Sequence, residues 1–319
     1  MSHRAMFCWT ALTLAAACSM LVAAAPAEPA KPFAEPAGGW PKSPATGAIS
    51  KVALEGADDA NAWFHLAVPK EYSPDKAWPL MVVLHGGPGG GPDDVTTFFR
   101  GGLTARGVIS VYPNALRREL LAWNYPDEMI YVIKAVLQVS RTYRVDPSRL
   151  YLSGISMGGG GAWVHAAVCG DFWAAVGPIA GWYAANPKPD AKLLKGMPLY
   201  IMPGDKDASV TVERSRLAVK DLEAIGRKVT VFKEMPDAEA MKKAGDCIYR
   251  EIQGADHACL LPWAERGAPE LGRMVAWIIA QKRARPADLA ATEQAVAAWG
   301  KHFHWSAKGG PFGGYETGK

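Results

Sequence analysis

Unbroken aliphatic runs alternate along the chain with stretches whose apolar positions recur every three or four residues. The runs are "PLMVVLHGG" (79–87), "GVISVY" (107–112), "RLYLSG" (149–154), "WAAVGPIAG" (173–181) and "MPLYIMPGDKD" (197–207). A strand that is apolar at every position is buried on both faces, as in a parallel sheet covered by helices. "NAWFHLAV" (61–68) alternates instead, and "KVTVFKEM" (228–235) and the start of "CIYREIQGADH" (247–257) are also strand-like. Helical spacing is found between these segments. "DDVTTFFRGGLTARG" carries a helix with Asp93 or Asp94 as cap, and Asp127 caps a second one whose apolar stripe runs through Met129, Ile130, Ile133, Val136 and Leu137. "VDPS" ends that helix, and further helices are expected from Met157 to Cys169, over "VERSRLAVKDLEAIG" up to Gly226, from Leu260 to Lys282 and from Pro286 to about Trp299. Residues 236–246 read as a polar insert. Strands alternating with helices over most of the chain predict an α/β protein: a doubly wound, mostly parallel sheet flanked by helices. In such sheets the working groups sit on loops at the carboxyl ends of strands, here after Leu84, Ser153, Met202 and Ile252.

The termini depart from this pattern. Residues 1–25, "MSHRAMFCWTALTLAAACSMLVAAA", have a basic start, an apolar middle and a small-residue end, the layout of a secretory signal peptide. A membrane anchor is the alternative, but the stretch is alanine-rich and lacks a basic stop-transfer flank, so no stable membrane span is expected after cleavage. Residues 26–48 are rich in Pro, Ala and Gly and read as a flexible leader, residues 49–319 as the folded domain, and "AKGGPFGGYETGK" as a disordered tail. Export to the periplasm or the cell exterior is the expected fate. Of five cysteines, Cys8 and Cys18 leave with the signal; among Cys169, Cys247 and Cys259 the preferred disulfide is Cys247 with Cys259. The cysteine spacings match no zinc pattern. With 35 basic and 31 acidic residues mixed along the chain, a net +4 builds no field for nucleic acid.

The densest motif is "LYLSGISMGGGGAW" (150–163). Ser156 stands between Gly154 and Gly158, after a strand and before a helix, which is the setting of a nucleophile elbow. The alternative is a glycine-rich phosphate loop, but no lysine follows the glycines. A serine hydroxyl needs a base, and the base needs an orienting acid. Among the downstream histidines, His165 falls inside the helix after the elbow and reads as structural, and His302 and His304 lie beyond the last core helix. His257, in "GADHAC", directly follows the last strand. Asp205 and Asp207 follow "LYIM"; one orients the imidazole and the other serves its loop, with Asp207 preferred as the orienting acid. Negative charge on the attacked carbonyl needs amide donors, expected from Met157 and from Gly87 beside Gly86 in "HGGPGG", with His85 shaping that loop. Trp123, Tyr125, Trp182 and Tyr183 are candidates to line an acyl pocket, or else core and rim packing.

"LHGG", "YRVDPSRLYLSGISMGGGGAW", "GDKD" and "GADH" stand in an order that resembles the α/β-hydrolases, in particular secreted esterases of the feruloyl esterase, polyhydroxyalkanoate depolymerase and dienelactone hydrolase-like type. The resemblance covers about residues 60 to 282. It implies an α/β-hydrolase fold, serine-based cleavage of small-molecule or polymeric esters without metal or organic cofactor, and an acid three residues after the glycine of a His-Gly-x-x-Asp motif, which maps to Asp207. Pro203 replaces that motif's histidine, and the 236–246 insert is a second departure. The same machinery serves prolyl oligopeptidase-type peptidases, and a non-catalytic binding protein could keep the fold.

Overall fold

The structure, a computed structural model, describes residues 33, 35, 36, 38–40, 48–184, 188–257 and 267–300. The expected signal peptide, most of the leader, Cys259 and the C-terminal tail lie outside the described residues. Among the described residues nine strands form one sheet: β1 (Ser50–Ala53), β2 (Trp63–Ala67), β3 (Trp78–Leu84), β4 (Ile109–Pro113), β5 (Val145–Ile155), β6 (Ala175–Ile179), β7 (Leu199–Ile201), β8 (Thr230–Phe232) and β9 (Cys247–Arg250). Their spatial order is β1-β2-β4-β3-β5-β6-β7-β9-β8. β1, β2 and β4 pair antiparallel, and every pairing from β4 through β8 is parallel.

Seven α-helices among the described residues cover both faces: α1 (Asp93–Thr104), α2 (Pro126–Thr142), α3 (Met157–Val168), α4 (Val212–Ala224), α5 (Ala238–Lys243), α6 (Gly267–Ala280) and α7 (Leu289–Gly300). The period-two alternation of a strand decides which residues meet which layer. Leu80, Val82 and Leu84 of β3 join Leu150 and Leu152 of β5 in a core with residues of α2, α3, α4 and α7, while Met81, Val83, Tyr151 and Ile155 point the other way onto α1 and α6. Each side chain so buried contributes about 1.5–3 kcal/mol. The unbroken apolar runs therefore came from strands in contact with two cores at once.

Several local expectations are corrected. Asp93 and Asp94 do not cap α1: Pro92 holds the cap position, and the Asp94 carboxylate accepts from Gly91 N–H at 2.9 Å. Asp127 likewise lies inside the first turn of α2, which begins at Pro126, a residue whose missing N–H costs nothing there. "VDPS" does not separate helix from strand; it lies within β5, where the pairing jumps from Trp78↔Val145 to Leu80↔Leu150, so the break the proline signals is a bulge. The polar 236–246 stretch contains α5, capped by the Asp237 carboxylate accepting from Ala240 N–H at 2.8 Å. β1 had no clear signal, being short and half exposed.

Candidate active site

Ser156 sits between β5 and α3 with φ +56° and ψ −113°, a conformation costly for a residue with a side chain. Two hydrogen bonds brace it: Ser156 N–H donates to Ile179 O at 2.9 Å, and Gly160 N–H donates to Ser156 O at 2.9 Å. The glycines around it answer separate demands. A Cβ on Gly154 would overlap the Gly158 backbone, one on Gly158 the carbonyl oxygens of Leu84 and His85, one on Gly159 the Ile179 carbonyl and, at 2.8 Å, Gly181 Cα, and one on Gly161 the Trp123 side chain. Gly160 alone of the four consecutive glycines has room, its nearest neighbour being Trp182 N at 3.8 Å. Glycine costs a helix about 1 kcal/mol relative to alanine, so three of these positions trade helix propensity for close approach to β3, β6 and the loop after β4.

His257 follows β9, and Asp207 follows β7. His257 Nδ1 lies 2.7 Å from Asp207 Oδ2, and Nε2 lies 3.0 Å from Ser156 Oγ. A carboxylate only accepts, so in the neutral imidazole Nδ1–H donates to Asp207 and Nε2 is left to accept from the serine hydroxyl. The Asp207 side chain is fully buried and its other oxygen, Oδ1, accepts from Ser209 N–H and Val210 N–H at 2.8 Å each. Ser156 is 8% exposed and the His257 side chain 26%.

Asp205 serves the loop. Its carboxylate accepts from Gly254 N–H at 2.6 Å, three residues before His257. The two loops are further stitched by Ile252 N–H to Pro203 O (3.0 Å), Asp205 N–H to Ile252 O (3.2 Å) and Lys206 N–H to Ala255 O (2.9 Å). Pro203, which has no N–H to give, takes part in this ladder through its carbonyl alone.

The loop after β3 faces the serine from the opposite side. A Cβ on Gly86 would stand 3.6 Å from Ser156 Cβ, and one on Gly87 3.0 Å from Met157 Cε, which places both glycines against the start of α3. His85 is buried behind them: Nδ1 is 2.6 Å from Gly86 O, and Nε2 accepts from Ala115 N–H at 3.1 Å. Burial lowers its pKa. His165 is fully buried edge-on to Trp173, neither ring nitrogen has a hydrogen-bond partner among the described residues, and burial lowers its pKa to about 3. His302 and His304 lie outside the described residues.

The aromatic candidates divide. Trp123 and Tyr183 are fully buried, with Trp123 Nε1–H donating to His85 O at 3.0 Å and Tyr183 edge-on to Trp163, so both are packing rather than pocket lining. Tyr125 carries the Arg117 guanidinium 4.7 Å over its ring, and Trp182 is partly buried beside Gly160. Sequence reasoning missed Glu128, buried in α2 with its carboxyl oxygens on the amides of Leu116 and Arg117; an acidic residue at a helix start reads as capping, and nothing in its spacing distinguishes it. Cys247 is buried in β9 with its thiol pushed up to about 11 by burial. Among the described residues no group of three or more His, Cys, Asp and Glu is placed to hold a metal, and no helix is long and apolar enough to cross a membrane.

No protein-family model matches the sequence, and a search of curated proteins returns no match either. Solved structures do match. A thermostable esterase superposes with TM-score 0.50 at 24% identity, over 69% of this chain and 59% of that one. Esterase 2 of Thermogutta terrifontis, phosphoramylated by tabun, gives TM-score 0.53 at 18% identity over 73% and 94% of the two chains. A protein assigned as a dienelactone hydrolase from Klebsiella pneumoniae gives 0.55 at 17% identity over 72% and 98%. Together with the sheet order, these likenesses show that the chain has the α/β-hydrolase fold.

Proposed function

We propose that the chain is an exported serine hydrolase that cleaves carboxylic esters through an acyl-enzyme on Ser156. What carries this proposal is the hydrogen-bonded series Ser156–His257–Asp207, with contacts of 3.0 and 2.7 Å, drawn from three loops far apart in sequence and ending on a serine at positive φ. Ser156 Oγ attacks the acyl carbon as His257 Nε2 takes its proton. The buried Asp207 carboxylate holds the imidazole in the tautomer that can accept that proton and stabilises the imidazolium formed. The amides of Met157 and Gly87 donate to the oxygen on which negative charge develops. His257 returns the proton to the leaving alcohol, then takes one from water, whose oxygen attacks the acyl-enzyme; the acid leaves and the serine hydroxyl is restored. These steps call only on side chains, backbone amides and water.

The esterase structures that share the fold support esters as the substrate class, and the apolar, basic-tipped N-terminus supports export. A chain-length series of nitrophenyl esters, run beside feruloyl and acetyl-sugar esters and aminoacyl amides, tests the assignment. Turnover of at least one ester series, lost in Ser156→Ala, is expected. Faster turnover of the amides would make the protein a peptidase, and no turnover of any substrate would make it a binding protein.

A further inference from the structure

Three successive backbone amides after β4 are taken up by two side chains that the steps above do not use. Ala115 N–H donates to His85 Nε2 at 3.1 Å, Leu116 N–H to Glu128 Oε2 at 3.1 Å, and Arg117 N–H to Glu128 Oε1 at 2.8 Å. A carbonyl only accepts, so the 2.6 Å contact of His85 Nδ1 with Gly86 O fixes the hydrogen on Nδ1 and leaves Nε2 as the acceptor that Ala115 needs. Trp123 Nε1–H, donating to His85 O, pins the same residue from the α3 side. Directly beyond His85 come Gly86 and Gly87, against Ser156 and Met157.

Glu128 is an unusual group to find there. It is fully buried, and a buried carboxyl is costly unless its oxygens are partnered. Burial pushes it up to about 8; its two amide partners and Arg117 oppose that, and Asp127 adds to it. Arg117 is itself shared, since it also pairs with Asp127 and stacks on Tyr125. Glu128 thus spends both oxygens on one short loop, and that loop's next amide holds His85.

We propose that Glu128 is a positioning residue for the ester hydrolysis described above: through residues 115–117 and His85 it holds the Gly86–Gly87 turn at the place where an oxyanion develops beside Ser156. This rests on the ester-hydrolase assignment. Its loss then weakens stabilisation of the tetrahedral intermediate and leaves ground-state ester binding largely intact. Removing an oxyanion donor outright costs roughly 10²–10³-fold in kcat, and loosening one through its support should cost less, about 10–100-fold.

The experiment compares wild type, Glu128→Ala, Glu128→Gln, His85→Ala and the Glu128→Ala/His85→Ala double variant. Active sites are counted by labelling to completion with a fluorophosphonate; kcat, KM and the affinity for a trifluoromethyl ketone that mimics the tetrahedral intermediate are then measured per labelled site. In Glu128→Ala, kcat should fall about 10–100-fold with KM within about twofold, and ketone affinity should fall by the same factor as kcat/KM. Glu128→Gln keeps one acceptor and turns an amide donor against the second N–H, so an intermediate loss is expected; being nearly isosteric, it carries the test if the alanine variant does not fold. The double variant should lose no more than the worse single variant, because both act through one strap. The proposal is overturned if kcat per labelled site is unchanged, if only the number of labelled sites falls, or if the losses multiply. A wild type that neither labels nor turns over any ester overturns the ester-hydrolase assignment itself.

Discussion

The two banks of the site are held by different physics. On the serine bank, β5, α3 and the ends of β3 and β6 touch backbone to backbone, and glycines at 154, 158, 159 and 161 stand where a methyl group would strike a carbonyl, a Cα or an indole. On the imidazole bank, the loops after β7 and β9 are joined by hydrogen bonds and flanked by ion pairs: Asp205 with Gly254 N–H, Glu251 with Arg216 at 2.9 Å, and buried Arg250 with Glu270 at 2.5 Å. Close packing tolerates no added atom and is indifferent to salt, whereas the hydrogen-bonded loops answer to charge, and on them close approach is confined to Gly204, where a Cβ would strike Ala255 O. Under the proposed mechanism, a nucleophile at positive φ calls for the first kind of support, and an imidazole that shuttles protons calls for the second.

Substitutions on each bank sharpen this contrast. The largest effect is expected from Asp207→Asn, which places an amide NH₂ against His257 Nδ1 and favours the wrong tautomer; kcat for ester turnover should fall on the order of 10⁴-fold with the melting temperature little changed. On the serine bank, Gly159→Ala should cost stability rather than chemistry, about 3 kcal/mol or more in urea denaturation, because the atoms it meets are backbone on both sides. A Gly159→Ala variant of normal stability would remove the reason offered for that glycine. Asp205→Asn puts an NH₂ or a weaker acceptor against Gly254 N–H and should lower kcat about tenfold through a looser His257 loop, without altering completed fluorophosphonate labelling.

Two buried carboxyls give pH slopes of opposite sign. Glu251, held down to about 2 by Arg216 and then by Tyr249 and Gln253, contributes stability that is present above its ordinary 4.5 and lost as pH falls toward 2. Glu128, pushed up to about 8, keeps its proton in the folded chain after the unfolded chain has released it near 4.5, so stability falls as pH rises between those values. Denaturation across that range should show the neutral slope flattened in Glu128→Gln and the acid limb retained. The smallest effect is expected at Gly160, where a methyl has room: Gly160→Ala should leave activity unchanged and add about 0.5–1 kcal/mol of stability by helix propensity.

What could be read in advance follows the same division. The largely aliphatic runs announced β3, β4, β5, β6 and β7, because strands packed on two cores admit few polar positions, here the small buried Ser110 and Ser153. "SGISMGGGGAW" announced the turn at Ser156, since glycines required by backbone approach are visible as glycines. The elements that escaped lack such a signature. α5 is a single charged turn-and-a-half whose start depends on Asp237, β1 is half exposed, and the "VDPS" break shows that proline and an Asx turn read alike whether they end an element or bulge it. Glu128 escaped because a carboxyl group serving two amides some eleven residues away leaves no trace in spacing. The choice between Asp205 and Asp207 was open on chain order alone; in the fold, Asp207 reaches the imidazole and Asp205 reaches the loop that carries it.

The claim on which the functional account depends is that His257 activates Ser156. The most direct measurement is the rate and site of fluorophosphonate labelling in wild type and in His257→Ala, read by peptide mass mapping. The account predicts a single adduct, on Ser156, formed at least about 10³-fold more slowly in the variant. An adduct on another residue, or equal rates in the two proteins, would contradict it.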